Sequence, residues 1–343
     1  IENKNKKIIL LFEGKFCNEA LKKMIERKIN IPLASQKWPL KAINYFFNSL
    51  YYYLTALKKE KEFKFSKKKN YGAPIVKLNK PYLSFTNEEI ELGQELLIKL
   101  GVPRGAKWIC IHNRDDVYLK KKYPNFNWKY HYYRDFSINS LIQAAESLTK
   151  KNIYIIRVGS SVKEPIRSNN KKIIDYSNSI YQSDFADIYL LANSIGYLGS
   201  DSGVHTVSLL FKKPNYIVNF PLTELVNLTH YLKGPILFKR IKYKKTKKLL
   251  SLKEILSQRK NFDSKSFYSK NYIFIDNTSN EIKDIAKDIM NFKNKKMNIS
   301  QKDKKIQNKF WNTYLKYFDK NEIGPFRPFI NMKFLKNNLY LLN

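Results

Sequence analysis

Cysteine is almost absent: Cys17 and Cys110 are the two in 343 residues, so a disulfide framework and a Cys-rich zinc site are both excluded. Such sparing use fits a reducing, cytoplasmic compartment. Long apolar runs are also missing. The most membrane-like stretch, residues 42–57 (AINYFFNSLYYYLTAL), is shorter than the roughly 20 residues a spanning helix needs, and it contains Asn and Ser. Its spacing is read as a core helix in preference to one lying in a membrane interface. Neither G-x-x-x-x-G-K-[ST] nor G-x-G-x-x-G occurs, which removes the usual signals for ATP hydrolysis and dinucleotide binding. His112, His131, His205 and His230 lack zinc spacing, so no metal or other cofactor is expected. The chain starts at Ile1 rather than Met, which leaves any leader outside the sequence.

Acidic residues are scarce as well, with 29 Asp and Glu against 64 Lys and Arg and a formal charge of +35. Such a balance raises nucleic acid first, but only nine of the basic residues are Arg. Base readers lean on Arg forks, and Lys-rich tracts such as 239–248 are read as solvated faces. No nucleic-acid partner is therefore expected. The charge instead favours phosphorylated substrates and peripheral residence on anionic membrane at its inner face. Scarcity makes each Arg informative, and Arg114, Arg134 and Arg157 fall in one short region.

What the chain does have is 43% hydrophobic residues, 15% of all residues being aromatic, enough for two packed domains at about 100–200 residues each. KKIILLFEG (6–14) followed by a helically spaced CNEALKKMIERK reads as a β-α beginning. Thr86 with Glu89 is a capping box opening a helix that stops at Gly101, which sets a boundary near residue 104. From Trp108 onward strands and helices alternate: strands at 108–115, 152–160, 171–177, 195–203 and 214–220, and helices at 139–151, 183–194 and 204–213. That alternation is the signature of an α/β fold with a parallel, doubly wound sheet. A further strand and helix cover 272–290, with Ser279 or Asn280 as the cap. Residues 291–309 read as a linker, and 310–318 as a last amphipathic helix. The expected division is 1–104 as an acceptor-side α/β domain short enough to be truncated, 105–295 as a nucleotide-binding domain, and 296–343 as a linker and helix packing back on the first.

In such sheets ligands sit outside the C-terminal strand ends. Those ends carry His112, Asn113, Arg114 and Asp115, then Arg157, Gly159 and Ser160, then Asp201, Ser202 and Gly203. A guanidinium can fork onto phosphate oxygens, and the Ser202-Gly203 turn opens a helix whose free N–H groups favour an anion, with His205 in its first turn. Together they describe a diphosphate site. Asp175 at another strand end is placed to take a ribose hydroxyl or to be a turn residue. Ser183, Asp184 and Asp187 are read first as an ordinary helix start. As base for an acceptor hydroxyl, Asp115 ranks ahead of Glu13.

The segments HNRDDVYL, YRDFSINSLIQA, YIIRVGS, IIDYSNS, QSDFADIYLLANS and LGSDSGVHTVSLLFKKPNYIVNFPL occur in an order that resembles a bacterial glycosyltransferase family associated with surface polysaccharide clusters. Flanking pieces extend the resemblance over roughly residues 80–335. SDSGVHTVSLLFKKP is also similar to the DTG-x-x-H loop of ADP-heptose transferases, and HNRD distantly to a strand end of GDP-fucose transferases. The resemblance implies a GT-B arrangement of two facing Rossmann-like domains and transfer of a sugar from a nucleotide-sugar donor to a glycan or lipid-linked acceptor. The reaction would be metal-independent and inverting. It implies that Arg114, Ser202, Gly203 and His205 hold the donor diphosphate, with Asp175, Ser183 and Asp184 near the nucleoside. Asp135 and Ser177 stand where family members often have Asn and Ala. A basic nucleic-acid-binding protein and a non-catalytic GT-B-like envelope partner are the competing readings.

Overall fold

The computed structural model describes residues 10–12, 16–30, 33–35, 80–258, 271–293 and 299–342. The chain divides into two units: residues 1–69 with 83–85, and residues 70–82 with 86–343.

In the first unit β1 (Leu10–Phe12) and β2 (Leu33–Ser35) pair in parallel, Leu10 opposite Leu33, with α1 (Glu19–Ile29) between them in the chain. This is the expected β-α start. Asn18 caps α1 by accepting from Leu21 N at 2.8 Å, and Asn30 ends it in the left-handed region at φ 54°.

The second unit opens with α2 (Asn87–Lys99), whose capping box is present as read: Glu89 N donates to Thr86 Oγ1 and Thr86 N to the Glu89 carboxylate. It leads into β3 (Lys107–His112), α3 (Val117–Lys122), a 3₁₀ turn at Trp128–Arg134 and α4 (Ile142–Thr149). Then come β4 (Ile153–Arg157), β5 (Ile173–Ile174), α5 (Asp184–Asn193), β6 (Tyr197–Gly199), α6 (Gly203–Leu210) and β7 (Asn215–Phe220). After α7 (Leu225–Leu228), β8 (Ile236–Phe238) completes a six-stranded parallel sheet in the order β5-β4-β3-β6-β7-β8. Two half-sheets thus spread outward from β3 and β6, and the strand order reverses between them. That is the Rossmann-like pattern, with its switch point where β3 and β6 part. Val, Ile, Leu and aromatic residues fill both faces, Ile109, Ile111, Ile155, Leu198, Tyr216 and Ile217 being at most 1% exposed.

Two features depart from the sequence reading. The tract 239–248 is not simply a solvated face: β9 (Arg240–Tyr243) pairs antiparallel with β10 (Tyr272–Ile275), Ile241 is buried, and Lys239 is 1% exposed. After the short α8 (Leu252–Ser257), the helix α9 (Ser279–Lys293) is capped by Thr278, which accepts from Glu281 N at 3.2 Å, rather than by Ser279 or Asn280.

The expected linker at 291–309 holds the front half of α10 (Gln301–Leu315), with Ser300 accepting from Asp303 N. Gln307, Phe310, Trp311 and Tyr314 lie on one stripe and are buried, while the lysines that make the sequence look like a linker sit on the opposite face. Tyr314 donates to Leu222 O and accepts from Val226 N, so α10 belongs to the core of the second unit, and the short α11 (Met332–Asn337) sets Phe334 edge-on against Phe238 of β8. The expected core helix at 42–57 lies outside the described residues. Among those described, no helix is long and apolar enough to cross a membrane.

Candidate functional site

The C-terminal ends of β3, β4 and β6 meet along one sheet edge, as the sequence implies, but the side chains there divide into two sets. The first is internal bracing. Arg157, wholly buried, donates to Asn113 Oδ1 at 3.2 Å and to the Glu164 carbonyl, and pairs with Asp175 at 3.5 Å. Asn113 spends its amide on Phe136 O at 2.8 Å, and the other Asp175 oxygen accepts from Ile166 N and Asn178 Nδ2. Arg157, without solvent exposure, is thus a brace beneath the edge and not a phosphate fork, while Asp175, partly exposed, is engaged by Arg157, Ile166 N and Asn178.

His112 belongs with them: its Nδ1 lies 2.9 Å from Val158 O and burial lowers its pKa to about 4, so it is a neutral tie between β3 and β4. Gly159, at φ 138°, needs to be glycine because a Cβ would stand 3.2 Å from that ring, and Ser160 beside it is exposed. Asp115 accepts from Val117 N at 3.1 Å through one oxygen and from Lys163 N at 2.9 Å through the other. Each carboxylate oxygen thus accepts one backbone N–H and ties two loops together. Glu13 lies outside the described residues. Ser183 is the cap of α5, accepting from Ala186 N at 3.2 Å, with Asp184 in the first turn, which is the ordinary helix start.

The second set lies between Arg114 and the start of α6 and is only partly exposed, Arg114, Arg134 and Asp201 keeping some solvent contact while His205 is buried. Arg114 is pinned through Nη1 alone, to Asp135 Oδ1 and to His131 O at 3.1 Å, and no described residue takes Nη2 or Nε. Close by, Arg134 Nη2 donates to Asp201 O at 2.9 Å, and Asp201 Oδ1 sits 3.0 Å from His205 Nδ1. Burial works to raise the Asp201 pKa, but His205 and Arg134 outweigh it and hold the carboxyl below its usual range.

Ser202 N points at His205 Nδ1, and Gly203 then starts α6. Gly203 is exposed, has no left-handed φ, and would carry a Cβ into open space. Neither the backbone nor its neighbours demand glycine there, and the backbone at this helix start is exposed. Gly199, three residues before Ser202, is different: a Cβ there would run into the His112 carbonyl oxygen, so it is required for β3 and β6 to lie together.

An Asp close in sequence, Asp115 or Asp135, is the partner the sequence offers a strand-end Arg, and Arg114 takes Asp135; the residue beneath that pair is what sequence reading missed. Lys239, at the end of β8, donates to Asp135 O at 2.7 Å and pairs with Asp276 at 2.7 Å, with burial lowering its pKa against those partners. Asp135 itself is raised to about 6, because burial outweighs the pull of Arg114 and Asp116 adds repulsion. Tyr133 donates to Glu224, whose pKa burial also raises. The YRD tripeptide at 133–135 was the available signal; Lys239 had none, being hidden in a lysine-rich tract. No group of three or more metal-ligating side chains comes together among the described residues.

No protein-family model, no curated protein and no solved structure matches this chain.

Proposed function

We propose that the chain is a glycosyltransferase of the GT-B arrangement, moving a sugar from a nucleotide-sugar donor to a glycan or lipid-linked acceptor, with inversion and without a metal. The observation that carries the reading is the pairing, at the switch point of a Rossmann-like sheet, of a half-committed guanidinium on Arg114 with the open helix start at Gly203. Both favour an anion, and the edge where they lie is where such sheets bind nucleotides. The order of segments from HNRD to SDSGVH supports the same reading.

In the transfer, the acceptor hydroxyl passes its proton to a carboxylate base, Asp115 in the sequence reading, and its oxygen bonds to the anomeric carbon as the bond from that carbon to the phosphate oxygen breaks, the electron pair leaving with the nucleotide. Negative charge accumulates on the departing phosphate. Arg114 Nη2 and the N–H groups at the start of α6 are already oriented in the folded protein, so they stabilise that charge without reorganising. Arg134 and the Asp201–His205 pair shape the same corner.

A thermal-shift screen with UDP, GDP, ADP and CMP sugars, with and without EDTA, tests this. One nucleotide series should raise the melting temperature, with no chelator effect. Arg114→Ala should cut turnover by about 10²–10³-fold, and Arg114→Lys should restore only part because the fork is lost. A screen in which no sugar nucleotide shifts the melt would sink the reading.

A further inference from the structure

Between β3 and α4 runs a stretch that, apart from the His131 carbonyl and Arg134 at its far end, the proposed transfer chemistry does not use. Residues 117–134, VYLKKKYPNFNWKYHYYR, hold five basic and seven aromatic residues in eighteen and no acid. The tip is a tight turn, Phe126 N donating to Tyr123 O at 3.2 Å, with Trp128 Nε1 donating to the same carbonyl at 3.1 Å. Around that turn the Phe126 ring lies 5.7 Å from Trp128 and 6.4 Å from Tyr123, and Trp128 stacks on His131 at 6.0 Å.

Phe126 is nonetheless 67% exposed, and Tyr132 is 42% exposed. A preformed aromatic knob held out to solvent costs hydration that an ordinary surface avoids. Beside it Lys120 and Lys121 are exposed, Lys120 lying 5.9 Å from the Tyr132 ring while pairing with Asp116. Exposed rings and exposed ammonium groups carried by one short stretch match the boundary between acyl chains and anionic headgroups.

We propose that residues 117–134 form a docking surface for an anionic lipid bilayer, Phe126 entering the headgroup–acyl boundary and the lysines resting on lipid phosphates. Charge complementarity chooses this occupant: the stretch is wholly basic, and a neutral glycan would gain nothing from its lysines. The proposal is independent of sugar transfer, because its readout is partition and not turnover.

The full chain is mixed with phosphatidylcholine vesicles and with phosphatidylcholine–phosphatidylglycerol vesicles, and co-flotation is measured. Binding should require phosphatidylglycerol. Phe126→Ser should weaken it about tenfold, and Lys120→Glu with Lys121→Glu by more than about tenfold. The same charge change at Lys244 and Lys245, on the exposed end of the β9 region, should alter it by less than about threefold. Far-UV circular dichroism confirms that each variant folds, and Phe126 is exposed enough for its loss to be tolerated. Equal losses from both lysine pairs, or no loss from Phe126→Ser, would overturn the proposal in favour of diffuse attraction by the total charge or docking elsewhere. So would failure to bind anionic vesicles, or retention on a neutral polysaccharide with no vesicle binding.

Discussion

Asp135 is crowded by opposing demands. Its carboxylate grips Arg114, yet burial and Asp116 push its pKa up to about 6. A folded-state value above the ordinary one means that the folded protein binds the proton more tightly than the unfolded chain does, so this group's contribution to stability falls as pH rises through about 6. Wild type should therefore lose melting temperature relative to Asp135→Asn over that range, and the gap should narrow on the acid side. Parallel melts of the two proteins across pH check this; a gap that widens toward acid would show the Arg114 pair to be the stronger influence. At this scale the sequence was only partly legible. Arg114 and Gly203 could be placed at a sheet edge from strand ends alone, because period and turn residues locate the ends. Whether a polar side chain faces a ligand or its own protein depends on neighbours far along the chain. Arg157 meets Glu164 and Asp175, and Asp115 meets Lys163, contacts that no local pattern announces.

The helices and strands were the most readable level. Capping chemistry is local, so Thr86–Glu89 and Ser183 could be identified from residue types alone. Ser183 also offers a clean choice between roles. As a cap, Ser183→Ala should cost about 1 kcal/mol of stability and leave any nucleotide-induced melting shift intact; chemical denaturation with and without the nucleotide measures both. Loss of the shift with unchanged stability would return Ser183 to the donor site. The unread elements failed for a common reason. β8 has three residues, too few for a period, and α10 begins in a stretch whose exposed lysines mask the apolar stripe that Gln307, Phe310, Trp311 and Tyr314 complete.

For the whole molecule the dominant quantity is the charge of +35. Self-repulsion of that size works against the compact state, and added salt screens it beyond about 10 Å at 0.1 M. Melting temperature should therefore rise by roughly a few degrees with moderate sodium chloride. A fall would mean that close pairs such as Lys239–Asp276 outweigh long-range repulsion.

The β3–α4 connection adds a consequence of another kind. Its two roots are stitched side by side: Asn113 donates to Phe136 O at 2.8 Å, Phe136 N to Arg114 O at 3.3 Å, and Arg114 grips Asp135. Residues 116–128 thus hang between this clasp and the anchors that His131, Tyr133 and Arg134 make on Arg114, Glu224 and Asp201. Evolution, or an engineer, could exchange that cassette for one of different length and stickiness while the sheet beneath keeps its register.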